Sequence, residues 1–153
     1  MDRINPVRKS MQTILAAVSD ENSRAELAAH IHGVSLFAAM LARLRNENEE
    51  LASIAGLLHD VYRCAALQSD NHAVYGAQMA QAILEETGSF AKDEIRQIVG
   101  AIEHHSEKAA QHSPFDEILK DADVLEHVFS QPMEPISEKE QKRYEQLQKE
   151  LNL

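Results

Sequence analysis

His59 and Asp60 close an apolar run, Leu51-Ala-Ser-Ile-Ala-Gly-Leu-Leu. An imidazole and a carboxylate side by side at the end of a buried helix are costly to desolvate unless something pairs with them. A metal cation is the natural partner, because both groups are ligands for divalent ions. The chain carries 8 histidines and an Asp121-Ala122-Asp123 element, so several donors can meet at one place.

Helical spacing ranks the remaining candidates. His72 shares a face with Gly76, Met79 and Ile83, at steps of four, seven and eleven. His105 shares a stripe with Ile95, Ile98 and Ile102, so it points inward. His104 turns away toward Gly100 and Ala101 and reads as a rim residue. His32 lies with Ala25, Ala28, Ser35 and Ala39, a small-residue face that permits close approach. His30 lies with Leu27, Val34 and Phe37, and periodicity leaves both histidines open. Asp121 falls nearer Ile118, Leu125 and Val128, which favours it as the buried carboxylate. Asp123 falls beside Lys120 and His127. His112 and His127 receive no role.

These residues need helices to position them. Seven segments have the spacing: one from Pro6 through Val18, a nearly all-apolar one from Asn22 or Ser23 to about Arg45, and one from Asn48 to the His-Asp pair. Others run from Asn71 to Gly88, from about Lys92 to His105 and from Ser113-Pro114 to Phe129. Pro132 and Pro135 then break the pattern, and the tail from Ser137 to Leu153 reads as a solvated edge helix. The fold class is all-α: one compact domain of about six to seven helices over residues 1–132, with a charged C-terminal helix or tail over 133–153. With 153 residues, 44% of them hydrophobic, the chain suits a single core.

The net charge of −10 argues against nucleic acid and membrane surfaces, which need a basic patch. It still permits a small anionic substrate, because a bound dication reverses the local field. The single Cys64 fits a reducing compartment. No apolar run reads as long enough to span a membrane, and no signal-peptide region opens the chain. A cytoplasmic protein is the expectation, and a homo-oligomer is compatible with it.

The order His32, His59-Asp60, His72, His105, Asp123 resembles the HD-domain superfamily of metal-dependent phosphohydrolases, over roughly residues 25 to 130. His32-Gly-Val-Ser-Leu-Phe-Ala-Ala is similar to the family's first histidine helix and selects His32 over His30. Ala55-Gly-Leu-Leu-His-Asp is similar to its signature segment, His72-Ala-Val-Tyr-Gly-Ala to a His-x-x-x-Gly-Ala element, and Ala101-Ile-Glu-His-His to a segment whose histidine falls at His105. Lys120-Asp-Ala-Asp-Val-Leu resembles the closing motif and selects Asp123 over Asp121.

The resemblance implies a metal site of His32, His59, Asp60 and Asp123. In a two-metal version His72 and His105 are added and Asp60 bridges. It implies one or two ions of Fe, Mn, Zn, Co or Ni, with Mg as a further choice. The reaction implied is hydrolysis of a phosphate ester or anhydride, in a small nucleotide-like substrate, by a hydroxide held on the metal. Arg63 is expected to contact substrate phosphate as a planar fork. His104 and Asp121 are expected on the substrate side. Two other classes stay open: a diiron HD-fold oxygenase with the same six ligands, and a non-catalytic metal- or ligand-binding module.

Overall fold

Caps and apolar stripes fix the helices. The computed structural model describes residues 2–153. Eight helices and no strand are present among the described residues: α1 (Ile4–Ala16), α2 (Glu21–Leu44), α3 (Glu49–Leu58), α4 (Val61–Ala66), α5 (His72–Thr87), α6 (Lys92–His104), α7 (Pro114–Ser130) and α8 (Glu138–Leu151). The all-α single-core fold is as the sequence implies. The additional helix is α4, a six-residue turn directly after the His-Asp pair, too short to leave a periodic signal.

Side-chain caps set four of the starts, Ser137 of α8 among them, where its Oγ accepts from the Glu140 N–H at 3.3 Å. Asn48 accepts from the Leu51 N–H at 3.0 Å, and Ser113 caps α7 with Pro114 at its first position. α2 is capped at Asp20, two to three residues before the Asn22 or Ser23 cap that the sequence suggests, because Asp20 accepts from the Ser23 N–H at 2.7 Å.

α3 is the axis of the fold. Every residue from Leu51 to Leu58 is buried, packed mainly on α2 and also against α1, α6 and α7. α2 and α3 approach closely at Gly56, where a Cβ would stand 2.5 Å from the Ser35 Cα. The pair is bridged there by Ser35 Oγ, 2.9 Å from the Ser53 carbonyl oxygen. α1 adds the i, i+4, i+8 stripe Val7, Met11 and Leu15. Against expectation, one helix among the described residues, α2, is long and apolar enough to cross a membrane by length and composition. Its stripe Ile31, Val34, Ala38 and Leu41 is fully buried in the core of this domain.

α8 is tied down more firmly than its polar composition suggests. Leu147 is buried, and Arg143 reaches Glu117 Oε2 at 2.7 Å and Asp121 Oδ1 at 2.9 Å on α7. Arg45 joins the same network through Asp121 at 2.8 Å.

Candidate metal centre

Three helix ends and the interior of α2 turn four imidazoles to one point. His59 caps α3 and donates from Nδ1 to the Gly56 carbonyl at 2.7 Å. His105 caps α6 and donates to the Ile102 carbonyl at 2.6 Å. His72 opens α5 and donates to the Ser69 carbonyl at 2.8 Å. His30, on α2, uses Nδ1 toward Glu126 Oε2 of α7 at 2.5 Å. With every Nδ1 proton engaged, Nε2 carries the lone pair, the arrangement that outer partners impose on metal-ligating histidines.

The Nε2 atoms face one another in pairs. His30 and His59 are 3.1 Å apart, and His72 and His105 are 3.2 Å apart. Two lone pairs at that distance repel unless a proton or a cation lies between them. The separation matches the edge of a coordination polyhedron, about 3.0–3.4 Å for metal–nitrogen bonds of roughly 2.1 Å.

Asp60 lies between the pairs. Its Oδ2 is 3.5 Å from His30 Nε2 and 3.6 Å from His59 Nε2. Its Oδ1 is 3.6 Å from His72 Nε2 and 3.7 Å from His105 Nε2. Oδ1 is buried with no hydrogen-bond partner, a costly condition for a carboxylate oxygen. Asp123 presents Oδ1 at 3.5 Å from His30 Nε2 and 3.9 Å from His59 Nε2. Three donor groups could each hold an ion: His30, His59 and Asp60; His59, His105 and Asp123; Asp60, His72 and His105. An orphaned carboxylate oxygen facing the Nε2 atoms of two imidazoles fits a divalent metal.

The electrostatics agree with the donor set. Burial pushes the His105 imidazole down to about 3, helped by His59 and Lys108, so it stays neutral. Burial likewise lowers His59. Burial alone would raise the Asp60 and Asp123 carboxyls. The neighbouring histidines, with Arg63 at Asp60 and Lys108 at Asp123, outweigh it and hold both below the ordinary carboxylate range. Burial also works to lower His30, but hydrogen bonds to Asp60 and Glu126 and the charge of Asp123 outweigh it and raise the imidazole to about 10, so a metal there would displace its proton. His59 and His105 are neutral and the two carboxylates ionised, the forms that ligate.

The structure brings His59, Asp60, His72, His105 and Asp123 together and leaves His32 outside. His32 is exposed and bonds only the Ala28 carbonyl of its own helix, at 2.7 Å. Residues two apart on a helix point about 200° apart, so only one of the two histidines can face the cluster. His30 flanks the buried stripe, whereas His32 lies in line with Leu36, which is 72% exposed. The choice of His32 is thus corrected to His30.

The same 200° separates the two aspartates of α7. Asp123 faces the cluster. Asp121 is buried, as its spacing suggests, but in the Arg45–Arg143 ion-pair network. It lines neither cleft of the site, which corrects its placement on the substrate side. His104 is corrected likewise: its Nδ1 lies 2.8 Å from Asp116 Oδ2 and its ring stacks on His112 at 3.9 Å, away from the clefts.

Two clefts open from the cluster, of about 530 and 770 Å³. They share Asp60, Arg63, Asp123 and Glu140. Arg63 donates from Nη1 to Asp60 Oδ2 at 2.8 Å and is partly exposed to both. Sequence reasoning missed Glu126, Lys108 and the α8 wall of the first cleft at Ser137–Glu140. Gly33 carried a signal for Glu126, because a Cβ there would stand 2.7 Å from the Glu126 Cγ.

Neither a curated protein nor a solved structure matches the chain. The family model for the HD domain matches residues 27–127. That span holds all four paired histidines and both carboxylates, and the chain belongs to the HD domain family, a superfamily of metal-dependent phosphohydrolases.

Proposed function

We propose that this protein is a metal-dependent phosphohydrolase acting on a phosphate ester or anhydride of a small, nucleotide-like molecule. One observation supports the reading above others: Asp60 divides its two oxygens between two histidine pairs. A bridging carboxylate between two imidazole pairs is the protein side of a two-ion site. Divalent ions held there would polarise a phosphoryl group and lower the pKa of a bound water.

The ligand set is His30, His59, Asp60 and Asp123, with His72 and His105 completing the second position. Arg63 stands where both clefts meet and offers planar donors to a phosphoryl oxygen. Its bond to Asp60 holds that carboxylate in place while the remaining guanidinium N–H groups face the substrate. Burial of His59 and His105 keeps water away from the far side of the cluster. The reaction breaks the P–O bond to the leaving group, adds the oxygen of water to phosphorus, and returns a proton to the leaving oxygen.

The test is turnover by the protein loaded with Mn, Fe, Co or Zn, measured over nucleoside mono-, di- and triphosphates and simple phosphomonoesters. Release of phosphate or pyrophosphate that disappears in Asp60→Ala supports the reading. A loaded protein that is inert on all of them, or that consumes dioxygen instead, contradicts it.

A further inference from the structure

Each carboxylate of the cluster has one oxygen held by a cation. Arg63 takes Asp60 Oδ2, and Lys108 takes Asp123 Oδ2 at 2.6 Å. Asp123 Oδ1 is thereby left facing His30 and His59. Lys108 also donates to the His105 carbonyl at 2.7 Å. Its side chain is only 10% exposed, yet it lines the same cleft as Asp60, Arg63, His72 and His105.

An ammonium has three donors, and two are taken. A long lysine side chain loses considerable rotamer freedom when ordered and its charge is costly to bury. Here the ordering is built in. Arg143 of α8 donates from Nε to the Lys108 carbonyl at 2.8 Å, and the Lys108 N–H reaches the Ser106 carbonyl at 2.9 Å. A buried cation aimed between a candidate ligand carboxylate and an open cleft serves an anion.

We propose that Lys108 is a substrate-binding residue, whose free N–H together with the Arg63 guanidinium grips the non-bridging oxygens of the phosphoryl group. The proposal rests on the phosphohydrolase reading and adds a second cationic anchor to it. It also explains why α8 matters to the site: Arg143 fixes the backbone that carries Lys108.

Titration calorimetry separates the possibilities, first with Mn²⁺ alone and then with inorganic phosphate added to the Mn²⁺-loaded protein. Lys108→Gln removes an outer partner of the Asp123 carboxylate and is expected to weaken Mn²⁺ binding by roughly tenfold, so phosphate is titrated at saturating Mn²⁺. The same substitution is expected to weaken phosphate binding at least about tenfold, the scale of one charge-assisted hydrogen bond. Lys108→Arg should recover most of that affinity, and in turnover the Gln variant should raise KM more than it lowers kcat. Unchanged phosphate affinity in Lys108→Gln overturns the proposal. So does a parallel loss of Mn²⁺ and phosphate binding that Arg fails to rescue, which marks a structural lysine. Wild-type protein that binds Mn²⁺ but no phosphate refutes the role of Lys108 alone. Wild-type protein that binds no Mn²⁺ refutes the metal reading, and the proposal with it.

Discussion

Glu126 Oε2 lies 2.5 Å from His30 Nδ1, across the interface of α2 and α7. This contact fixes which end of the imidazole faces the cluster, and Gly33 leaves the space it needs. Removing the carboxylate frees the ring to rotate and leaves its proton unpaired. Glu126→Ala should lower metal affinity by roughly 10- to 100-fold, the usual effect of deleting an outer partner of a ligating histidine. Calorimetric titration with Mn²⁺ checks it.

His30 and His32 can be told apart directly. His30→Ala should abolish binding at one ion position and with it most activity. His32→Ala removes an exposed side chain and should leave both metal content and turnover within about twofold of wild type, with stability inside roughly 0.5 kcal/mol. Elemental analysis of the two purified variants is sufficient.

Arg143 is the main polar tie between α8 and the rest of the fold. It serves Glu117, Asp121 and the carbonyls of Lys108 and Ala110. Arg143→Met takes one of two cationic partners from each of Glu117 and Asp121, which keep Lys120 and Arg45, and should cost about 1–3 kcal/mol. Chemical denaturation measures the loss. KM should also rise, because the Lys108 backbone loses its anchor.

Glu117 gives the fold an acid-sensitive tie. Burial works to raise its carboxyl, but Lys120, Arg143 and the His112 N–H outweigh it and hold it at about 2, below the ordinary value of 4.5. A depressed carboxyl contributes stability that is fully present above about 4.5 and is lost as pH falls through about 2. Glu117→Gln should destabilise the protein by about 3 kcal/mol at pH 7, since it leaves the fully buried Lys120 without its counter-charge. The gap from wild type should narrow steadily between pH 4.5 and 2. Denaturation curves across that range test the sign as well as the size.

The helices were legible because their signals are local. Caps such as Asn48 and Ser113, and stripes such as Val7, Met11 and Leu15, act within one element. His59-Asp60 and His105 were legible for a related reason: each sits at a helix end after an apolar stretch, while His72 opens a helix on the face of Gly76, Met79 and Ile83. The His30–His32 choice was not, because two histidines about 200° apart on a largely apolar helix are distinguished only by what packs beside them. Asp121 and Asp123 posed the same problem, since α7 buries a carboxylate on each of two faces. Lys108, Glu126 and Arg143 carry no periodic signal. Their roles come from contacts 15, 96 and 26 residues away in sequence, which only the folded chain supplies.

Asp60 is where the account can be tested most directly. X-ray scattering tuned to the absorption edge of Mn, on crystals grown with Mn²⁺, locates each ion and counts it. Two peaks astride Asp60 are expected, one between His30, His59 and Asp123 and the other between His72 and His105, with both lost in Asp60→Ala. Density at another place, or peaks that persist in that variant, would contradict the account.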